Sequence, residues 1–219
     1  MLAPESAENV TTIPEANEPR DWDVLLGVLD ETMQTLRDAG IPFLLIGGIG
    51  SAVFGRDRGT RDIDLFVRPE NAKKVLELLG ERGYTTKVEY EHWLYKAFKH
   101  DVLVDVIFRS SRDILLDEEM LRRARTMRFR GREVPVAPPE DLMVMKAIAA
   151  SEDTPRYWYD AIAIIAAAEL DWDYVLARAR QHGARRILSL LLFADSVDLV
   201  VPRGPIETLY DAVSSRGTA

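Results

Sequence analysis

Gly47-Gly48-Ile49-Gly50-Ser51, followed a few residues later by Arg58-Gly59-Thr60-Arg61-Asp62-Ile63-Asp64-Leu65, is the stretch on which the reading of this chain turns. A β-strand has a period of two, so Asp62 and Asp64 stand on one face and Ile63 and Leu65 on the other. Two carboxylates on a face otherwise destined for a core repel each other unless a cation lies between them. Hard oxygen donors at this spacing suit Mg²⁺, which keeps several waters and takes one or two carboxylates together with substrate phosphates. The paired glycines lack Cβ atoms, so the backbone there can approach a phosphate and offer N–H groups at the start of a helical turn. Ser51, one turn past Gly48, can add a hydroxyl to the same phosphates. A Gly-Gly pair alone is weak; joined to Asp-x-Asp on the next strand it is much stronger. The plainer reading of the two aspartates is a solvated pair on an edge strand.

Outward from this stretch, Phe43-Leu44-Leu45-Ile46 reads as a short buried strand and Ile49 to Phe54 as a helical turn. Asp62 to Val67 reads as a second strand. Upstream, Trp22, Leu25, Leu26, Leu29, Met33 and Leu36 recur at helical spacing, and Gly40 with Pro42 ends that helix. Downstream, Pro69 opens a helix that stops at Gly83. Tyr84 to Glu89, Trp93 to Phe98 and Val102 to Phe108 read as strands, the last two turning at Lys99-His100-Asp101. A helix over 113–125 and a hairpin through Gly131 complete this unit. After Pro138-Pro139 the pattern is helical throughout, in five segments beginning with Glu140 to Ala150.

The expected fold is therefore α/β (α+β), a small mixed-sheet domain over 21–136 followed by an α-helical domain over 137–219. Residues 1–20 are polar and proline-rich and read as a flexible tail without a signal peptide. No stretch is long and apolar enough to cross a bilayer, and there is no cysteine, which fits a cytoplasmic protein. In 219 residues the formal net charge is −8, which argues against a general nucleic-acid coat protein. It leaves room for a local basic site, and Arg122, Arg123, Arg125, Arg128, Arg130 and Arg132 form the densest one. This segment reads either as a solvated helix end running into an exposed hairpin or as a polyanion-binding edge.

Two metal ions clamping the attacking and leaving oxygens call for a third carboxylate. Asp105 is the candidate: it sits in Val102-Leu103-Val104-Asp105-Val106-Ile107-Phe108, an apolar strand where a lone aspartate is expensive to bury. A structural ion pair is the alternative role. His92, His100 and His182 lack ligand spacing and read as structural or surface residues.

The glycine pair, Asp-x-Asp and a third Asp on a neighbouring strand together resemble the signature of the nucleotidyltransferase superfamily, the fold shared by polymerase β and the minimal nucleotidyltransferases. Arg58-Gly59-Thr60-Arg61-Asp62-Ile63-Asp64-Leu65 looks closest to bacterial enzymes of the abortive-infection and toxin–antitoxin type. The resemblance implies that Asp62 and Asp64 bind both Mg²⁺ ions, with Mn²⁺ as a stand-in. It implies that Asp105 binds the catalytic ion and activates the attacking hydroxyl. Gly47 and Gly48 would cradle the triphosphate, with Ser51, Arg58 and Thr60 beside it. A looser likeness covers Pro138-Pro139-Glu140-Asp141-Leu142 leading to Lys146, then Asp160; a lysine and an aspartate at such positions reach the nucleotide in these relatives. Arg156 is the nearest arginine to accompany the lysine. Tyr157-Trp158-Tyr159 replaces part of the usual polar segment between lysine and aspartate.

The activity so implied is transfer of a nucleoside monophosphate from a nucleoside triphosphate to an acceptor hydroxyl. The first acceptor is an RNA 3′ end, particularly tRNA, with a cognate antitoxin as protein partner. A protein side chain comes second and a small molecule such as an aminoglycoside third. A non-catalytic nucleotide-sensing module is the rival from another class, and retention of all three aspartates weighs against it.

Overall fold

Asp21, whose carboxylate accepts from the Asp23 backbone N–H at 2.8 Å, caps α1 (Trp22–Asp38). Leu25, Leu29, Met33 and Leu36 are buried along one stripe, and Gly40 (φ +64°) reverses the chain. The computed structural model describes residues 21–56 and 59–215; the N-terminal tail and Arg58 lie outside them. There follow β1 (Phe43–Leu45), α2 (Gly47–Val53), β2 (Asp62–Val67), α3 (Pro69–Glu81), β3 (Thr85–Tyr90), β4 (Leu94–Lys99) and β5 (Val102–Ile107). A 3₁₀ turn (Ser111–Asp113), α4 (Glu118–Arg123), β6 (Arg125–Phe129) and β7 (Arg132–Val136) come next. The remainder is helical: α5 (Pro139–Ala149), α6 (Arg156–Ala167), α7 (Trp172–His182), α8 (Ala184–Ser196) and α9 (Arg203–Ser214).

The strands form one mixed, seven-stranded sheet in the order β3-β4-β5-β2-β1-β7-β6. β2 runs parallel to β5 and β1 parallel to β7, while the other neighbours are antiparallel. One face carries Ile63, Leu65, Val104 and Val106, all fully buried. The buried apolar side chains run without interruption from Leu25 of α1 to Leu209 of α9, so sheet and helices share one core. α5 comes close against α2, where a Cβ on Gly50 would lie 3.0 Å from a Leu142 methyl. None of the described helices is long and apolar enough to cross a membrane.

One expected element is different. In place of a helix over 113–125 the chain makes the 3₁₀ turn, an extended step, the short α4 and the start of β6. Ile114 and Leu116 are buried and Leu115 exposed, the period of extended chain. Asp117 then caps α4 by accepting from the Met120 N–H at 2.8 Å, so the helix begins five residues later than expected. The hairpin through Gly131 forms as expected, and its second strand joins the main sheet beside β1.

Candidate active site

The register of β2 on β5 decides the geometry of the site. Asp64 pairs directly with Asp105, and Asp62 with Leu103. Neighbouring strands lie about 4.8 Å apart, so the Asp64 and Asp105 side chains leave the sheet side by side, with Asp62 one pleat away on the same face. Asp105 Oδ1 is buried and has no hydrogen-bond partner among the described residues. Burial first, and then the negative charge of Asp64, push the Asp105 carboxyl up to about 7. Lys96, opposite it on β4, offsets part of this, and Asp62 and Glu89 add to it.

The turn from β1 into α2 presses on these acids. Gly47 has φ +58°, and a Cβ there would lie 1.7 Å from Asp64 Oδ2, so no other residue fits. The Gly48 N–H donates to the same Asp64 oxygen at 3.3 Å, and a Cβ on Gly48 would lie 2.4 Å from Thr60 Oγ1. Thr60 in turn donates to Asp62 Oδ1 at 3.0 Å. The glycines and Thr60 thus bring backbone and hydroxyl groups against the carboxylates.

Lys146 reaches the site from α5. Its ammonium lies 3.1 Å from Asp160 Oδ2 and 4.4 Å from the centre of the Tyr157 ring. Asp160, on α6, is wholly buried; it also takes an ion pair from Arg56 at 3.1 Å and faces Ser51 Oγ at 3.5 Å. Ser51 is itself buried and donates to the Gly47 carbonyl at 2.9 Å. Ser51 and Asp160 are both buried, and their hydrogen bonds brace the α2 turn and the lysine. Sequence reading missed Arg56, although a cation directly after Gly55 in a glycine-rich segment is a usable signal. Arg61, quoted there only as part of the motif, joins the site as well.

Two cavities open here. One of about 240 Å³ lies over the acids and is lined by Gly48, Thr60, Arg61, Asp62, Asp105 and Arg156 among others. A larger one of about 520 Å³ shares Gly47, Asp64, Lys146 and Tyr157 with it, and reaches neither Asp62 nor Asp105. The donors over the smaller cavity are carboxylate oxygens, the set that hard divalent cations prefer. The orphaned Asp105 oxygen, crowded by two more acids, fits such an ion. Among the described residues no three acidic or imidazole groups close into a ready-made cage. Mg²⁺ does not require one, because waters and substrate phosphates complete its shell.

Comparison with known proteins bears on the family and the fold. A protein-family model described as an uncharacterised nucleotidyltransferase matches residues 21–194. Among solved structures, an antigenic nucleotidyltransferase-like protein from Paracoccidioides brasiliensis is 15% identical, with a TM-score of 0.52 over 89% of this chain and 95% of that one. The antibiotic-resistance factor ANT(2″)-Ia is 15% identical, with a TM-score of 0.51 over 89% of this chain and 97% of its own. Lincomycin-bound lincosamide antibiotic adenylyltransferase LnuA is 16% identical, with a TM-score of 0.47 over 68% and 99%. At these identities the likeness is one of fold. No curated protein matches the chain.

Proposed function

The chain belongs to the uncharacterised nucleotidyltransferase family, and on that premise we propose that it moves a nucleoside monophosphate from a nucleoside triphosphate to the hydroxyl of a small acceptor. One observation carries the reading: Asp64 and Asp105 are paired across parallel strands, with Asp62 on the same face and the Gly47 backbone against them. When bound, a divalent cation, Mg²⁺ by its preference for oxygen donors, would neutralise the phosphates and be held by Asp62, Asp64 and Asp105. Gly47, Gly48 and Thr60 would receive the triphosphate, and Lys146, steadied by Asp160, would add a fixed positive charge. The acceptor oxygen forms a bond to the α-phosphorus as the bond from that phosphorus to the bridging oxygen breaks. Pyrophosphate leaves with the electron pair, and Asp105 takes the hydroxyl proton.

Transfer to an RNA 3′ end is the second reading, and beside the toxin-type resemblance its local support is the arginine-rich segment. Arg122 and Arg123 pair with Glu119, Arg123 also with Asp171 at 2.8 Å, and Arg132 with Asp30 at 3.1 Å. Arg130 lies 3.7 Å over the Trp22 ring. These cations are engaged within the protein, on α4 and on the β6–β7 hairpin, whose strands lie beyond β2 and β1 from β5. An antitoxin partner goes with the RNA reading and shares its fate.

The test is to incubate the protein with each α-labelled nucleoside triphosphate, Mg²⁺, and either total RNA or a small-molecule extract. Label in the small-molecule fraction that disappears with Asp62→Asn/Asp64→Asn is the expected result. Label confined to RNA restores the second reading. Calorimetry that shows metal-independent nucleotide binding, unchanged in the same double variant, would count against the site as a whole.

A further inference from the structure

The larger cavity is not accounted for by the nucleotide's phosphates. Its body is apolar, lined by Ile46, Ile107, Leu142, Met145, Trp93 and Tyr157. At about 520 Å³ it is in the range of pockets that enclose one drug-sized molecule. Ile107 lies two residues beyond Asp105 on the same face of β5, so the cavity extends from Asp64, the neighbour of Asp105 across the strands, toward the C-terminal end of β5. Gly48, Thr60, Arg61 and Arg156 line only the smaller cavity. In an in-line displacement the entering oxygen comes from the side opposite the leaving pyrophosphate. Gly47 and Lys146, which would receive the triphosphate, line both cavities; with pyrophosphate toward Gly48, Thr60 and Arg156, the larger cavity is the side left for the acceptor.

The walls of this cavity are built rather than incidental. Arg112 and Asp113 both adopt left-handed backbone (φ +58° and +57°), which side-chain-bearing residues seldom do without support. The support is present: the Ser110 N–H donates to the Ile114 carbonyl at 2.8 Å, and His182 Nδ1 donates to the Arg112 carbonyl at 3.2 Å. On another wall Trp93, 40% exposed, is stacked on Tyr90 with ring centres 5.1 Å apart and planes 12° from parallel. A half-exposed indole held flat by a second ring offers a planar wall to a ligand ring.

The charges are distinctive. Arg109 is paired with Asp113 at 2.5 Å, and Lys146 with Asp160. Arg112 is exposed and pairs with no carboxylate among the described residues. The rim therefore carries a planar guanidinium, a group that grips a carboxylate or phosphate through two parallel hydrogen bonds. A polycationic acceptor would be repelled there. An RNA end, with a phosphate at every step, would need more such cations than this rim of a protein of net charge −8 provides.

We propose that the larger cavity is the acceptor site, and that the acceptor is a small hydroxylated compound with an apolar, ring-bearing body and one anionic group held by Arg112. This rests on the transfer reading above. The acceptor's O–H becomes O–P, its proton passes to Asp105, and pyrophosphate departs; the anionic group takes no part in the bond changes.

Three phenols of one shape test it: 4-hydroxyphenylacetate, its neutral amide and the cationic tyramine. Each is titrated against the full chain by tryptophan fluorescence, without nucleotide and again with Mg²⁺ and α,β-methylene ATP, which cannot be cleaved at the reacting bond. The carboxylate should bind about tenfold more tightly than tyramine, with the amide between, and Arg112→Gln should erase most of that spread. Trp93→Phe should remove most of the fluorescence change. The analogue should bind alongside the phenol. Equal or tighter binding of tyramine, or no binding of the carboxylate at millimolar concentration, overturns the proposal. An undiminished signal in Trp93→Phe places the ligand elsewhere and overturns it too. Competitive displacement by the analogue makes the cavity the nucleotide's own, and displacement by a short RNA ending in CCA makes it an RNA site. Loss of analogue binding in Arg112→Gln ties that arginine to the nucleotide instead. Failure of the transfer reading shows separately, as analogue binding indifferent to Mg²⁺ and to Asp62→Asn/Asp64→Asn.

Discussion

Two groups of acids in this molecule, one buried and one half-buried, are treated in opposite ways. Between α5 and α7, Asp141 is 2% exposed and accepts from Arg178 Nε at 2.6 Å and from the Tyr174 hydroxyl at 2.7 Å. Arg178 also reaches Asp117 at 2.6 Å, leaving only its Nη2 without a partner. On β2 and β5, by contrast, three aspartates share one face, and Asp105 keeps an oxygen that nothing satisfies among the described residues. Charges that hold a fold together are given opposite charges by the chain itself, because a buried unpaired ion is costly. Charges kept together with too little compensation mark a place where something else is expected to bring it.

The contrast breaks first at the acids of the sheet. Asp64→Asn keeps the shape and removes a ligand charge worth several kcal/mol at the transition state, so transfer should fall by roughly 10³-fold or more. Pyrophosphate release under saturating nucleotide measures it, and a rate within tenfold of the parent would show that the pairing with Asp105 has no catalytic meaning.

The opposite effect is expected in the helices. Asp141→Ala leaves Arg178 to Asp117 alone and the Tyr174 hydroxyl without its acceptor, so it should lower stability by about 2–3 kcal/mol, whereas Asp141→Leu/Arg178→Met should recover most of the loss. Urea unfolding resolves both. A double variant no better than the single one would mean that the pair does more than cancel its own charges.

Asp105→Asn sharpens the comparison from the other direction. Without metal it relieves repulsion, so the melting temperature at pH 8 should rise by about 2–4 °C, roughly 1 kcal/mol for a chain of this length. The folded carboxyl titrates near 7 and an unfolded one near 4, so the cost of the ionised form is complete above pH 7 and fades as pH falls toward 4. The gap between variant and parent should accordingly narrow at pH 5. A variant less stable than the parent at pH 8 would make Asp105 a structural residue.

The smallest effect is expected at the sheet's far edge. Arg128 on β6 is exposed and stands opposite Glu133. Arg128→Glu should change stability by less than about 0.5 kcal/mol and leave transfer to small acceptors as it was. A loss of RNA labelling in this variant would reopen the RNA reading.

Much of this site was legible in the sequence because its parts are local or periodic. Asp62 and Asp64 share a face by the period of a strand, and Asp105 is conspicuous in a run of Val, Leu and Ile. Gly47 and Gly48 announce a close approach without saying to what; the structure shows Asp64 and Thr60. Spacing could put Ser51, Lys146 and Asp160 in one neighbourhood, yet not their order in depth, since one helix face looks alike whether it meets a ligand or another side chain. Trp93, Arg109 and Arg112 are joined only by the β3–β4 hairpin and the chain after β5, so nothing in their sequence spacing foretold a common wall. The expected helix over 113–125 gives way for a local reason: Ile114 and Leu116 are buried from extended chain, and Asp117, followed by Glu118 and Glu119 in the first turn, then caps the shorter α4.

Leu45 and Val136 are the single register pair that joins β1 to β7. β3, β4 and β5 meet through tight turns and can form as soon as they leave the ribosome. β1 must wait, one flank open, until almost the whole sheet has been synthesised. Only then do Pro139 and the helix that bears Lys146 follow directly from the closing strand. Acids and glycines are thus assembled before the lysine arrives, and a nascent chain stalled short of α5 would display the carboxylates without the cation meant to share their phosphates.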